Sequence, residues 1–221
     1  MKLQRYLKPA HVPTVSGRMV LNMKRSILTH ERVFSDEDFA NDYAKKHKKM
    51  VEKFGQEYSL KLKSRGFEKG RIIDVGCGSG GTALVLAKNF PESEVFGIDL
   101  SEPLLGLANQ TAQTASLEQR LRFEMADVRK IPYDDNSFNV VLNINMVHLV
   151  EDPVQMLNEM ERILVPDGFL FIADLRRSWL GLIEKEIKSA LTLEEARELF
   201  SQSKLRQGVF SSSIIWWRFE I

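Results

Sequence analysis

Short apolar runs alternate with longer amphipathic stretches along most of this 221-residue chain. From residue 71 onward, Arg71–Val75, Ser93 to Asp99, Arg122 to Asp127, Asn139 to Met146 and Gly168 to Asp174 have the length and apolar content of buried strands. Helices are expected between them at about 80–89, 102–117 and 152–163. This alternation implies right-handed crossovers and a mainly parallel sheet. Ahead of it, Asp36 to about Arg65 reads as one long helix, with Ser35 as N-cap and acids in the first turn. Ala40, Tyr43, Ala44, His47, Val51 and Phe54 give that helix a partial apolar stripe. Residues 1–35 read as irregular, with a short helix near 18–28, because Pro9, Pro13 and Gly17 break anything longer. Toward the C-terminus, Leu180, Ile183, Ile187 and Leu191 recur at helical spacing, predicting an amphipathic helix over 178–191. Thr192 then caps a helix whose first turn carries Glu194 and Glu195. The ending LRQGVFSSSIIWWRFEI reads as two tightly joined strands, which puts Trp216 and Trp217 on opposite sheet faces as core residues.

The first strand runs into RIIDVGCGSGG, with glycines at 76, 78, 80 and 81. Glycines after an apolar strand form a tight turn into a helix and let a ligand lie against bare backbone. Gly76, Gly78 and Gly81 satisfy G-x-G-x-x-G, so a dinucleotide cradle is one reading. Asp74 opposes it: a pyrophosphate at a helix N-terminus wants positive potential, whereas a carboxylate suits a cationic amino group. Asp99, ending the second strand, suits a ribose diol and does not discriminate among nucleoside cofactors.

The blocks DVGCGSGG (74–81), GIDLS (97–101), ADVRKIPYDDNSFNVV (126–141), HLVEDP (148–153) and LVPDGFLFIAD (164–174) settle the comparison at this level. In order and spacing, across about half the chain, they resemble class I S-adenosylmethionine-dependent methyltransferases. The small-molecule group is the nearest in kind, similar to ubiquinone/menaquinone-type C-methyltransferases. The resemblance implies an α/β, Rossmann-like, doubly wound and mainly parallel seven-stranded sheet with an antiparallel C-terminal strand. It implies one domain over 36–221 and an N-terminal extension or lid over 1–35. It also implies S-adenosyl-L-methionine as cofactor, with S-adenosyl-L-homocysteine as product.

Site residues follow from the same resemblance. The backbone of Gly76, Cys77, Gly78 and Gly80 would lie against the methionine moiety, with Asp74 assisting its amino group. Asp99 would accept from both ribose hydroxyls, and Leu100 would cover one adenine face. Asp127 would accept from the adenine amine beside the Val128 backbone, and Asn145 would meet the methionine end. For each acid the competing reading is a cap or turn role at a strand end; open α/β sheets bind ligands at those ends, which favours the functional reading for Asp99 and Asp127. Displacement at a sulfonium draws much of its rate from collinear positioning and exclusion of water, so the cofactor residues are more legible than the catalytic ones.

His148, after the fourth strand, has two readings: a proton acceptor, since imidazole titrates near neutrality, or a ring hydrogen-bonded at the start of the next helix. Tyr43 and Tyr133 either orient substrate or pack with a hydrogen bond. Arg176 and Arg177 beside Trp179 form either a clamp for an anionic acceptor or a solvated pair before a helix. Cys77, inside the glycine turn, reads as a small filler rather than a nucleophile. Asn143 and Asn145 do not build the Asn-Pro-Pro-Tyr block of amino-methylating nucleic-acid enzymes.

Composition adds boundaries. At 43% hydrophobic the chain suffices for one α/β domain. No run of eighteen apolar residues predicts a membrane span, and no h-region predicts a secretory signal, so a cytoplasmic setting is expected. The single cysteine has no disulfide or CxxC partner, and no metal site is expected. The net charge of +1 conceals an asymmetry: residues 1–71 hold 17 Lys and Arg against 8 Asp and Glu, the remaining 150 hold 14 against 22. Lys45, Lys46, Lys48, Lys49 and Lys53 supply much of it and read as a solvated helix face. The expected partner is a small-molecule methyl acceptor, not nucleic acid. Two other classes stay open: an RNA or protein methyltransferase using the basic segment, and a non-catalytic S-adenosylmethionine-binding module.

Overall fold

Two three-residue strands, β1 (Leu7–Pro9) and β2 (Ser26–Leu28), pair antiparallel ahead of the main body in the computed structural model, which describes residues 7–9, 26–28, 35–178, 187 and 189–221. Ser26–Leu28 is extended, so the helix anticipated near 18–28 does not extend to its expected end, and residues 18–25 lie outside the described residues. The long helix α1 is Glu37–Ser64. Its N-cap is Asp36 rather than Ser35: the Asp36 carboxylate accepts the Phe39 N–H at 2.9 Å from an extended backbone. Glu37 and Asp38 then favour the positive end of the helix dipole, and Lys61 and Lys63 the negative end. Gly66, with φ 81°, turns the chain out of the helix.

After α1 the chain alternates β3 (Arg71–Val75), α2 (Gly81–Asn89), β4 (Glu94–Asp99), α3 (Glu102–Thr114), β5 (Leu121–Met125), β6 (Phe138–Ile144), α4 (Pro153–Ile163) and β7 (Leu164–Leu175). It closes with α5 (Leu193–Ser201), β8 (Val209–Ser212) and β9 (Trp216–Glu220). β7 starts four residues before the predicted Gly168 because α4 feeds straight into it; its pairing with β6 is irregular between Phe138 and Val140. The Thr192 cap is a reciprocal box, Thr192 Oγ1 accepting from the Glu195 N–H and Glu195 from the Thr192 N–H. Of the predicted 178–191 helix, Ile187 and Ser189 are helical and most of the rest lies outside the described residues.

The seven-stranded sheet has the order β5-β4-β3-β6-β7-β9-β8. β3 to β7 are mutually parallel, and β9 pairs antiparallel with both β7 and β8. The chain builds outward from β3 to β5, then returns to β6 on the other side of β3. Such a reversal opens a crevice at the carboxyl ends of the two central strands. Each face has its own core. Phe54, Tyr58 and Leu62 of α1, Leu86 of α2 and Ala112 of α3 cover Ile72, Val95, Val140 and Leu142. Met156, Leu157 and Met160 of α4 and Phe200 of α5 cover Ile73, Ile98, Val141 and Ile172. Ile72 and Ile73 thus point to opposite layers, as a strand's two-residue period requires, and each fully buried side chain contributes about 1.5–3 kcal/mol. Trp216 and Trp217 also divide between the faces, Trp216 edge-on to Phe54 and Trp217 against Phe200.

Candidate active site

β3 enters the crevice through Gly76, Gly78 and Gly80, whose φ values of 78°, 51° and 75° lie in the left-handed region. An L side chain there costs roughly 1–2 kcal/mol per residue. The Gly76 and Cys77 amides both donate to the Ile98 carbonyl, at 2.8 and 2.9 Å, which ties the turn to β4. A Cβ on Gly76 would stand 2.7 Å from Met146 Cγ, and one on Gly80 2.5 Å from Phe123 Cζ. One on Gly78 would meet no protein atom within 4 Å. The turn is walled on two sides and open at its centre. Cys77 is buried behind it, and burial pushes its thiol well above the ordinary range, as a filler requires.

Three acids lie at or near the carboxyl ends of β3, β4 and β5. Asp74 lies inside β3, paired in register with Gly97 and Leu142, and is 3% exposed. Burial, with the nearby Asp99 charge second, pushes its carboxyl up to about 7. Asp99 ends β4: its Oδ2 accepts the Gly78 N–H at 2.8 Å and its Oδ1 the Ser101 N–H at 2.9 Å. One carboxylate therefore holds both the centre of the glycine turn and the start of α3. Asp127 follows β5 by two residues and is forked by Arg129, with Nε 3.0 Å from Oδ1 and Nη2 2.8 Å from Oδ2. Those hydrogen bonds hold the Asp127 carboxyl below its ordinary range. Val128 beside it is buried, whereas Leu100 after β4 and Met125 at the end of β5 stand more than half exposed, forming an apolar lip between the second and third acids.

Beyond β6 the backbone turns sharply at Asn145, a non-glycine residue with φ 58° whose amide donates to the Ala173 carbonyl at 2.8 Å. Its side-chain Oδ1 is buried without a protein partner, a costly state for a polar atom. Asn143, one strand repeat earlier, stitches β6 to β3 by donating to the Val75 carbonyl at 2.7 Å. His148 lies on a single 3-10 turn, Val147–Leu149, with its ring 2.6 Å from Asp174 at the end of β7. The strand-end position of Asp174 is the same signal that marked Asp99, and sequence reasoning passed over it.

The remaining candidates are positioned as follows. Tyr43 sits on α1 with its ring centroid 4.1 Å from that of His47, whose Nδ1 lies 2.9 Å from the Tyr43 carbonyl. α1 crosses the turn two helical turns further on, where Thr82 Oγ1 donates to the Val51 carbonyl at 3.2 Å. Tyr133 donates its hydroxyl to Glu124 at 2.9 Å and packs edge-on against Phe96 and Phe138. The Arg176 guanidinium donates to the Ser213 carbonyl at 2.8 Å, and Arg177 pairs with Glu195. Lys45, Lys46, Lys48 and Lys49 are exposed on α1. Among the described residues no cluster of His, Cys, Asp or Glu is arranged to hold a metal ion, and no helix is long and apolar enough to cross a membrane.

A family model described as "Methyltransferase domain" matches residues 67–213, more than half of the chain. The 27-O-demethylrifamycin SV methyltransferase of Amycolatopsis mediterranei is 36% identical over 104 residues, covering 47% of this chain and 38% of that protein. The demethylmenaquinone methyltransferase of Lactobacillus johnsonii is 33% identical over 110 residues, covering 49% and 43%. The chain thus spans less than half the length of these curated relatives. In fold it is similar to a candidate S-adenosyl-L-methionine-dependent methyltransferase from Methanococcus maripaludis, with a TM-score of 0.73, 18% identity and coverage of 88% of this chain and 96% of that one.

Proposed function

This chain belongs to the methyltransferase-domain family, and from that premise we propose that it moves a methyl group from S-adenosyl-L-methionine to a small-molecule acceptor by in-line displacement. One observation carries the reading: a buried acid and a strand-end acid, Asp74 and Asp99, flank a glycine turn that is open only at Gly78. That arrangement disfavours a pyrophosphate and favours a ligand joining a cationic amino acid to a ribose. The residues present fit such a group. Gly76, Cys77, Gly78 and Gly80 would line the methionine moiety and Asp74 would meet its amino group. The orphaned Asn145 Oδ1 would take a second donor there. Asp99 would receive the ribose hydroxyls, Leu100 would cover adenine, and Asp127 with Val128 would meet the adenine edge. The bound cofactor supplies an activated methyl group; the protein supplies collinear placement and exclusion of water.

On the acceptor side, Tyr43 and His148 belong to the proposal as acceptor-facing groups. Arg176, whose guanidinium donates to the Ser213 carbonyl, is the better candidate of the arginine pair for an anionic group, because Arg177 is already paired with the Glu195 carboxylate. Residues 36–221 would form the catalytic domain. Residues 1–35 would act as a lid, a role supported by β2 lying against the Val147–Leu149 turn. The lone buried cysteine is consistent with a cytoplasmic setting.

Calorimetric titration tests the donor. S-adenosyl-L-methionine and S-adenosyl-L-homocysteine should bind with micromolar Kd, about −8 kcal/mol, and NAD should give no heat. Binding of NAD alone would reject the assignment.

A further inference from the structure

Residues 127–130 form a tight turn just beyond β5, closed by the Lys130 N–H donating to the Asp127 carbonyl at 2.9 Å. Aspartate suits the first position of such a turn because its side chain accepts an N–H two residues on. Here Oδ1 accepts the Arg129 N–H at 2.8 Å. The Arg129 side chain then folds back onto the same carboxylate. Its Nε lies 3.0 Å from Oδ1 and 3.1 Å from Oδ2, and its Nη2 2.8 Å from Oδ2. Nη1 reaches only Glu151, at 3.5 Å, and that side chain is 83% exposed, so the contact adds little. From α4, Gln155 donates to the Arg129 carbonyl at 3.3 Å and steadies the turn. Closing the turn requires the two backbone donors and neither guanidinium nitrogen, so the fork has another consequence.

That consequence lies in the lone pairs. An ionised carboxylate has about four acceptor sites, two on each oxygen. The Arg129 N–H and Nε occupy both sites of Oδ1, and Nη2 occupies one of Oδ2. One site on Oδ2 remains. The two-pronged pair also stops rotation of the carboxylate about its bond to Cβ, a torsion that is otherwise broad. Asp127 therefore offers one anionic acceptor in one fixed direction. The half-exposed apolar lip of Leu100 and Met125 adjoins it and suits the face of a flat ring.

We propose that Arg129 is the positioning residue that sets base specificity: by fixing the Asp127 carboxylate it makes the site demand a 6-amino purine and reject a 6-oxo purine. This rests on the methyl-transfer reading above and adds to it a residue that does not itself touch the cofactor. A 6-oxo purine presents an oxygen where the amine stood and carries its nearest N–H on the adjoining ring nitrogen. A fixed Oδ2 meets that oxygen and is repelled. A carboxylate free to rotate turns toward the displaced N–H and recovers a bond. Loss of the fork should therefore cost discrimination between the two bases, not affinity for nucleosides in general.

Calorimetry with S-adenosyl-L-homocysteine and its 6-oxo counterpart, S-inosyl-L-homocysteine, tests the assignment without any methyl acceptor. The wild type should prefer the adenosyl compound by about 30-fold, the worth of one hydrogen bond to a charged group. Arg129→Lys keeps the cation but cannot fork, and Arg129→Ala removes both. In each variant the preference should shrink to about three-fold or less, with the adenosyl compound weakened and the inosyl compound held or tightened. The Arg129 side chain is 40% exposed, so both variants should fold, which thermal melts check. If Arg129→Lys keeps the wild-type preference, charge and not the fork is responsible, and the proposal falls. It falls equally if affinity for the two compounds drops in parallel, as loss of a merely structural turn residue would give. A wild type that binds both compounds alike overturns the inference alone; one that binds neither overturns the methyl-transfer reading and the inference with it.

Discussion

Asp99 shows how a single carboxylate at a strand end serves fold and site together. It anchors the Gly78 amide and caps the approach to α3, and in the proposed complex it also receives the ribose. Asp99→Ala should therefore weaken S-adenosyl-L-homocysteine binding by about 100-fold, taking two bonds to a charged acceptor at roughly 1.5 kcal/mol each; calorimetry measures it directly. Asp74 carries a pH signature. Its carboxyl ionises near 3.8 ordinarily and near 7 in the folded chain, raised by burial and then by Asp99. Between those values the folded state holds the extra proton, so this group's contribution to stability falls as pH rises from about 4 to 7 and is constant above. The melting temperature of Asp74→Asn should thus climb relative to wild type across that window, for a full effect on the order of 4 kcal/mol. A cationic ligand reverses the balance by ionising Asp74. Binding near pH 6.5 should release a proton, visible as a dependence of the calorimetric heat on buffer ionisation enthalpy and absent in Asp74→Asn.

At the level of elements, the glycine turn separates backbone strain from ligand space. Gly80→Ala would combine a positive φ with a Cβ pressed to within 2.5 Å of Phe123 and 2.9 Å of Ala108. It should cost roughly 2–3 kcal/mol of stability in denaturant melts, strain and overpacking together. Gly78→Ala meets no protein atom, so it should cost only about 1–2 kcal/mol for its φ. Its larger loss should appear in cofactor affinity, because the methyl would enter the open centre of the turn. These elements were legible in advance because each is specified locally. Apolar runs of strand length, a glycine cluster and the Thr192–Glu195 box all act over a few residues. The long helix was legible too, but its cap was misplaced by one residue: Ser and Asp cap equally well, and only the observed Asp36–Phe39 bond decides between them.

Across the molecule, α1 is fastened to the opposite end of the sequence. Glu220 of β9 bonds both Lys61 and Arg65, and Glu57 pairs with Arg218. Because the two cations are about a third exposed, solvent discounts the pairs; Glu220→Gln should cost about 1 kcal/mol, or roughly 2–4 °C in Tm for a chain of this size. The clasp keeps α1 seated where Val51 covers Gly81, so it bears indirectly on the glycine turn.

Taken alone, the amino-acid order determined the alternation of strands and helices, the glycine turn and the acids at strand ends. Each depends on hydrophobic period, backbone freedom or local capping, which act over a few neighbouring residues. Strand adjacency, and everything that follows from it, was decided only by the tertiary structure. The order β3-β6-β7 brings Asp174 to His148 across 26 residues, and the neighbouring strand β4 brings Asp99 to Gly78 across 21. Those pairings turn a histidine with two readings into a buried, oriented ring, and a strand-end acid into the anchor of the turn. Hydropathy records which residues are buried; which buried residues meet depends on how the sheet is assembled.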